Sequence, residues 1–576
     1  MRRIYCCVLF VNILFQIGFA EKNLVIGNKV HPVTQVLVSG ELQTRILKNF
    51  DRLEETKYQP EHVFLTNKES GNWPGDTEGR TILGLVMDAQ SSGREPKYLK
   101  KIIDLIPEKL NSKGYMGDIH PAGTMDEQQL SGNGWMIRAL CAYYEWKKDK
   151  KVLQTVKSIV DNLFVPGKGY YKLYPIDPKM RTKEVGEAMG NIDKKLGNWM
   201  LSTDIGCLFI GMDGAINAYK YVPSKALKVV IDEMIERFLE IDLVLIKAQT
   251  HATLTAMRGL LTYAEITGNP ILINEVAKRW ELYKMYGMTE NYANYNWFTR
   301  YSANTEPCAI VDSYMVAAHL WSLTREVRYL PYLDLIYYNA ICHGQRLNGG
   351  FGCDKFSASD INSIAIAAYE AHWCCTMRGA DGLSKVAECS YFTKADSLYV
   401  VHYGDNKATV NFGKKSSISL QQKTQYPFSG EVNIEITQAK NTSAIILKLN
   451  ALSEWSRSIA VYINGQTVHF VVENGFIVLK HKWKIKDKIK FTFENKIRVM
   501  PAQNKMLYTN NQKKIMYGPL LLGYSGKPNL KLNNNVQVTS LSPILFKVDS
   551  SDIELSPVYH LMNKEVINSY KKQIMF

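Results

Sequence analysis

The chain has 576 residues, is 46% hydrophobic, and carries 70 Lys and Arg against 55 Asp and Glu, a formal charge of +15. That length allows roughly two to four domains with ample cores, and that balance excludes a disordered or collagen-like chain. The basic excess comes from scattered lysines with no Arg-rich block, so it reads as a solvated basic surface rather than a nucleic-acid module, though it would help attract an acidic polysaccharide.

Arg2 and Arg3 precede a short apolar run from Cys6 to Ile17, and Gly18-Phe19-Ala20 offers small residues for cleavage. Residues 1–20 therefore read as a signal peptide cut after Ala20, with the periplasm as the expected destination. Its removal takes away Cys6, Cys7 and both arginines, leaving 556 residues, eight cysteines and a charge of +13. No later stretch has eighteen uninterrupted apolar residues, so no membrane insertion is expected. Six of the eight cysteines (Cys308, Cys342, Cys353, Cys374, Cys375 and Cys389) crowd into one segment. Such crowding favours a local site over scattered disulfides.

From about Leu42 to Glu388 the apolar pattern is helical. Leu99, Ile102, Ile103, Ile106 and Leu110 share one face, with Gly114 as the stop. Pro223-Ser224 reads as a start before Leu227, Val230, Ile231, Met234 and Phe238. Trp135 to Trp146, His251 to Ile266 and Asp312 to Thr324 repeat the pattern. Roughly a dozen helices with Gly-containing loops fit an α/α toroid of paired helices over residues 21–392, with its chemistry on the loops.

Near Phe392 the period drops to two. Val432, Ile434 and Ile436 alternate with polar residues. Val461 and Ile463 lead into Asn464-Gly465, a two-residue hairpin signal. Trp483, Ile485, Ile489, Phe491 and Phe493 continue the alternation. Residues 393–576 therefore predict antiparallel β-sandwich material bracing the helical domain, with the stretch after Met500 a candidate second, short sandwich.

The chemistry-bearing residues lie mostly in the helical half. Thr305-Glu306-Pro307-Cys308 and His372-Trp373-Cys374-Cys375 together supply one carboxylate and three thiols, a set suited to tetrahedral Zn²⁺. Three buried inert cysteines are the competing reading. Glu290 stands among Tyr292, Tyr295, Trp297 and Phe298, where desolvation would favour a general acid; a loop glutamate beside core aromatics is the bland alternative. Trp73-Pro74-Gly75-Asp76-Thr77-Glu78-Gly79-Arg80 can face a sugar or simply open a helix. His251, in Thr250-His251-Ala252, can be a ligand or a satisfied core residue.

Taken in order, Trp73-Pro74-Gly75-Asp76-x-Glu78-Gly79-Arg80, Ala139 to Tyr144, Thr250-His251-Ala252, Glu290, Glu306-x-Cys308, Tyr338-Asn339-Ala340, Cys374-Cys375 and Tyr517-Gly518-Pro519-Leu520 resemble glycoside hydrolase family 127, the β-L-arabinofuranosidase-type enzymes. The resemblance spans nearly the whole mature chain, and Glu-x-Cys with Cys-Cys is its most specific part. It implies an (α/α)6-barrel followed by β-sandwich material. It also implies zinc on Glu306, Cys308, Cys374 and Cys375, with Cys374 as nucleophile and Glu290 as acid/base in a retaining double displacement.

The sugar pocket departs from that pattern. The family's Gly-His reads Gly132-Asn133-Gly134 here, a second sugar-contacting histidine expected near Cys207 is missing, and Thr376 replaces a proline after the cysteine pair. His251, Trp73, Asp76, Glu78 and Asn133 remain as candidate substrate-binding residues. The expected partner is an oligosaccharide or polysaccharide side chain, with no nucleic acid. Two alternatives stand beside an arabinofuranosidase-like hydrolase. One is a hydrolase of a rare acidic branched furanose in pectin. The other is a non-catalytic carbohydrate-binding protein with structural zinc.

Overall fold

The computed structural model describes residues 29–64, 73–180, 192–357, 360–442, 445–508, 511–527, 529–533, 536–562 and 571–576. The expected signal peptide lies outside them. Twelve principal helices build the first half: α1 (Gly40–Leu53), α2 (Asp76–Ser92), α3 (Leu99–Lys109), α4 (Glu127–Lys147), α5 (Lys151–Ile159), α6 (Leu208–Tyr221), α7 (Lys225–Leu239), α8 (Thr250–Thr267), α9 (Pro270–Tyr286), α10 (Pro307–Thr324), α11 (Leu330–Ile336) and α12 (Cys375–Glu388). The even-numbered helices pack in succession and close on themselves, α12 against α2, while the odd-numbered helices cover them from outside. This is the expected (α/α)6-barrel.

The sequence explains the two rings. Outer helices are amphipathic: α3 buries Leu99, Ile102, Ile103 and Ile106 and exposes its lysines. Inner helices are covered all round, as α10 shows by burying sixteen of its eighteen residues. Small residues let inner helices approach closely. A Cβ on Gly214 of α6 would lie 2.5 Å from the Gly134 Cα of α4, so any larger residue would push that pair apart. Ser224 caps α7 through the Leu227 amide, as read from the sequence. Gly114 sits in a turn beyond α3, at φ +79, rather than at its cap.

The switch to strands falls where the alternation begins. Tyr391–Lys394 is the first strand after α12, and two sheets then stack over a shared core. The seven-stranded sheet runs Gln466–Thr467, Ser456–Ile463, Lys488–Asn495, Glu431–Lys440, Ser416–Thr424, Asn406–Phe412, Val36–Val38. Ile463 pairs with Gln466 across an Asn464-Gly465 turn with both φ values positive, the predicted hairpin. Ile485 breaks the expected alternation: it lies in a loop, 60% exposed. The six-stranded partner sheet includes one parallel pair, Ile446–Asn450 on Ser397–Val400.

The domain boundary is less clean than the sequence implied. His31–Pro32 and Val36–Val38 pair with strands of the sandwich, so residues 31–38 belong to the β half although they precede the barrel in sequence. After Ile497 a third, six-stranded sheet forms over a small core of Ile515, Leu522, Phe546, Val548, Leu555 and Phe576. No helix among the described residues is long and apolar enough to cross a membrane.

Candidate active site

Five inner helices start at the same mouth of the barrel. Asp76 opens α2, Cys207 precedes α6, Gln249 precedes α8, Glu306 precedes α10 and Cys374 precedes α12. All five residues line one cavity of about 470 Å³. Helix N-termini leave N–H groups without intrahelical partners and carry the positive end of the macrodipole, so the cavity favours anionic groups. Gly75, at φ +90, turns the chain into α2, and a Cβ there would meet the Gly132 carbonyl at 3.0 Å.

The sulfurs converge at this mouth. Cys375 Sγ lies 3.7 Å from Cys308 Sγ and 3.3 Å from Cys374 Sγ. Thiolates about 2.3 Å from a tetrahedral zinc stand roughly 3.8 Å apart, so the three are spaced for one ion. Arg80 Nη1 donates to Cys308 Sγ at 3.3 Å. Burial alone would push the Cys308 thiol up. Hydrogen bonds from Cys374 and Cys375 and the Arg80 charge outweigh it and hold Cys308 well below the usual thiol range. Cys374 is pushed up, chiefly by its bond to Cys308, and Cys375 chiefly by burial. All eight cysteines among the described residues are unbridged, Cys342, Cys353 and Cys389 included.

Glu306 completes the set. Its Oε1 lies 3.1 Å from His251 Nδ1, while Oε2 is buried with no protein partner. The three sulfurs form one group and His251, Glu306 and Cys308 a second that shares the Cys308 sulfur, so an orphaned carboxylate oxygen adjoins the thiol set as a fourth donor and the residues fit a zinc-type ion. Burial raises the Glu306 carboxyl above its usual range, with His251 opposing. His251 Nε2 faces Asp312 Oδ2 at 3.4 Å, and the ring stacks on Trp135 at 5.9 Å and 20°. Trp135 in turn is bracketed by Arg80 at 4.3 Å and Arg378 at 4.8 Å from its ring centre.

The structure brings together Trp73, Asp76, His251, Glu306, Cys374 and Cys375 on the cavity wall, with Cys308 against the sulfurs from α10. It does not bring the others. Glu290 is fully buried away from the wall. Its carboxylate accepts from Lys514 Nζ at 2.9 Å, from the Gln503 amide at 3.1 Å and from the Asn504 amide at 2.8 Å. A carboxylate so engaged braces the third sheet against the barrel and does not line the cavity, against the acid/base expectation. Asn133 is also corrected: its Oδ1 accepts from the Met116 amide at 3.0 Å and its Nδ2 faces the carbonyls of Met116, Gln129 and Pro74. Glu78 is buried on α2 behind the wall. The ring nitrogens of His251 face Glu306 and Asp312, so it positions Glu306 more than it reads a sugar. Thr376, in place of proline, donates to Glu370 Oε1 at 2.8 Å and accepts from the Phe351 amide.

Sequence reasoning missed Asp204, Gln249 and Arg300 as wall residues. Only the aromatic run before Arg300 hinted at that stretch. Arg300 stacks on Trp297 at 5.1 Å, and its Nη1 is buried with no protein partner.

Comparison with known proteins gives one family. The model described as "Beta-L-arabinofuranosidase, GH127 catalytic domain" matches residues 239–388, and the corresponding middle-domain model matches residues 397–495. The chain belongs to glycoside hydrolase family 127. It is therefore a glycoside hydrolase. Solved structures share the fold. A GH127 β-arabinofuranosidase is 17% identical at TM-score 0.69, over 96% of this chain and 98% of its own. A GH127 β-L-arabinofuranosidase from Geobacillus stearothermophilus T6 is 15% identical at TM-score 0.67, over 94% and 99%. No curated protein matches in sequence. Within this GH127 chain the catalytic-domain match contains Glu306 and the three sulfurs. Trp73, Asp76, Arg80, Asp204, Cys207 and Ile210 of the wall precede it.

Proposed function

We propose that this GH127 chain is an exported, retaining exo-glycosidase that removes a furanosidic residue from a glycan side chain, in the manner of a β-L-arabinofuranosidase. The observation that supports this most is the placement of Cys374. Of the three clustered sulfurs it alone is part-exposed, while Cys308 and Cys375 are fully buried. Glu306, Cys308, Cys374 and Cys375 would hold zinc, which supplies thiolate at neutral pH in a compartment that otherwise oxidises thiols. The catalytic-domain match counts against a non-catalytic binding protein.

Cys374 Sγ attacks the anomeric carbon as the bond to the leaving oxygen breaks, and a carboxyl group gives that oxygen a proton. Water then attacks the thioglycosyl carbon, the same carboxylate takes its proton, and the thiolate departs. Among the described residues Asp76, Asp204 and Glu306 line the cavity. Asp76 is held by Arg80 in a two-point pair at 2.7 and 2.9 Å, and Glu306 is assigned to the metal. We assign the proton transfers to Asp204, which stands on the wall just before the turn into α6. Trp73 and Trp297 offer ring faces for the sugar.

A second reading of the substrate draws on Arg300. Its unpartnered Nη1 at the cavity would be satisfied by a sugar carboxylate, which favours the acidic branched furanose of pectin over a neutral arabinofuranose.

Intact mass after brief incubation with a panel of neutral and acidic furanosides tests both. A sugar adduct mapping to Cys374, absent from Cys374→Ser, is expected, and Asp204→Asn should slow turnover by about 10²–10⁴-fold. Undiminished turnover by Cys374→Ser would overturn the mechanism. The sugar that forms the adduct decides the substrate.

A further inference from the structure

The β-sandwich presents a one-signed patch that catalysis does not use. At one end of the seven-stranded sheet four connections lie side by side. The 413–415 turn meets the end of Glu431–Lys440, because Ser417 pairs with Lys440 and Asn441 Nδ2 donates to the Lys415 carbonyl at 2.9 Å. The 481–487 loop joins them through Lys486 N to Ile436 O at 2.8 Å, and the Asn464-Gly465 hairpin abuts it through Asn464 Nδ2 to Asp487 Oδ1 at 2.9 Å. These connections carry Lys414, Lys415, Lys440, Lys482, Lys484 and Lys486, all exposed. Among the described residues no carboxylate lies within 4.0 Å of any of their six ammonium groups. Elsewhere some exposed lysines are matched: Lys490 with Glu431 at 2.8 Å, Lys228 with Asp232 and Lys100 with Asp104. The acid within the 481–487 loop, Asp487, is buried and occupied by Asn464, the Lys484 amide and His481.

Six like charges held together on short connections repel one another, a cost that a polyanion would relieve. We propose that this end of the sandwich docks an acidic, uronate-bearing polysaccharide and so holds the catalytic barrel near its side chains. Other polyanions fit less well. Single-stranded nucleic acid needs exposed aromatics for stacking, and Trp483, the aromatic of the loop, is 2% exposed. An interfacial membrane site needs an apolar face, and Ile485 alone supplies one in this loop. Carbohydrate is favoured because the chain is a glycoside hydrolase, so this inference rests on that reading for its partner but not on the substrate.

The test is affinity electrophoresis of the full mature chain through gels containing polygalacturonate, neutral arabinan or no polymer, with vesicles of anionic phospholipid and a single-stranded oligonucleotide assayed in parallel. Retardation by polygalacturonate alone, weakening as salt rises, is expected. Lys482→Glu/Lys484→Glu/Lys486→Glu should weaken it by about tenfold or more, and Lys414→Glu/Lys415→Glu by a smaller factor. Because the lysines are exposed and far from the sulfurs in sequence, melting temperature and turnover of a small glycoside should not change. Wild-type retardation in both variants, no retardation of the wild type, or preference for vesicles or oligonucleotide would overturn the proposal. None of these readouts requires turnover, so a failed mechanism and a failed docking surface are separately visible.

Discussion

Replacing Glu290 by Gln separates a brace from a catalyst. At 2.9 Å, the Lys514–Glu290 attraction is roughly 6 kcal/mol at an effective dielectric of 20. Both side chains are almost wholly buried, so desolvation offsets much of that, but removing one charge leaves the other uncompensated, a loss of about 3–5 kcal/mol. Gln keeps one oxygen for the Asn504 amide and sets its amide nitrogen against the donors of Lys514 and Gln503. Lys514 retains the Glu290 carbonyl at 3.2 Å and the Tyr292 ring at 4.4 Å, which places the cost near the lower end, about 3 kcal/mol. Urea unfolding followed by intrinsic fluorescence should therefore show an earlier first transition. The kcat of the protein that remains folded should change by less than about threefold, because Glu290 does not reach the cavity. A kcat reduced by about 10²–10⁴-fold with an unshifted unfolding midpoint would refute this reasoning and return the acid/base role to Glu290.

Removing metal with a chelator should abolish turnover and lower the melting temperature, with zinc restoring both; full activity at zinc contents far below one per chain would exclude the assigned ligand set. Arg300→Met should raise KM for an acidic furanoside by about tenfold or more and leave a neutral one nearly unchanged, as steady-state kinetics would show. Acid should destabilise the chain from about pH 4 downward. Burial would raise Asp354 and Asp381, yet Arg346 and His343 hold the first low and Arg138 and Arg378 the second. Folded values below the unfolded aspartate value of about 3.9 contribute stability above that pH, lost as pH falls through the folded values. Urea midpoints flat from pH 4 to 2 would contradict this.

Much of this was readable because it is periodic or local. Leu99, Ile102, Ile103 and Ile106 announce an outer helix, and Asn464-Gly465 announces a hairpin. The strands His31–Pro32 and Val36–Val38 were not readable, since two or three residues carry no period and their partners lie more than 350 residues away. The site divides the same way. Glu306, Cys308, Cys374 and Cys375 form two tight motifs of a residue type that is rare in the chain. Glu290 was misplaced because its environment is made by Lys514, 224 residues on, which spacing cannot reveal. Asn133 was misplaced because the backbone of Met116 consumes its amide. Arg300 was missed because a single arginine in a loop has no pattern until Trp297 and the cavity are seen together.

This division has a physical basis in the barrel itself. Glu306 and Cys374 occupy the positions immediately before α10 and α12, and Cys308 and Cys375 begin those helices. Two adjacent inner helices and their first-turn amides thus fix four donors without the help of any long loop. Such a constellation survives wide sequence change as long as the helices pack. Much of the remaining wall comes from turns before α2, α6 and α8 and from the 296–306 stretch, where one side chain can be exchanged without disturbing the ring. A chain of this family can therefore keep its sulfurs and carboxylate while the wall around them changes, at Arg300 and Asp204 among other positions.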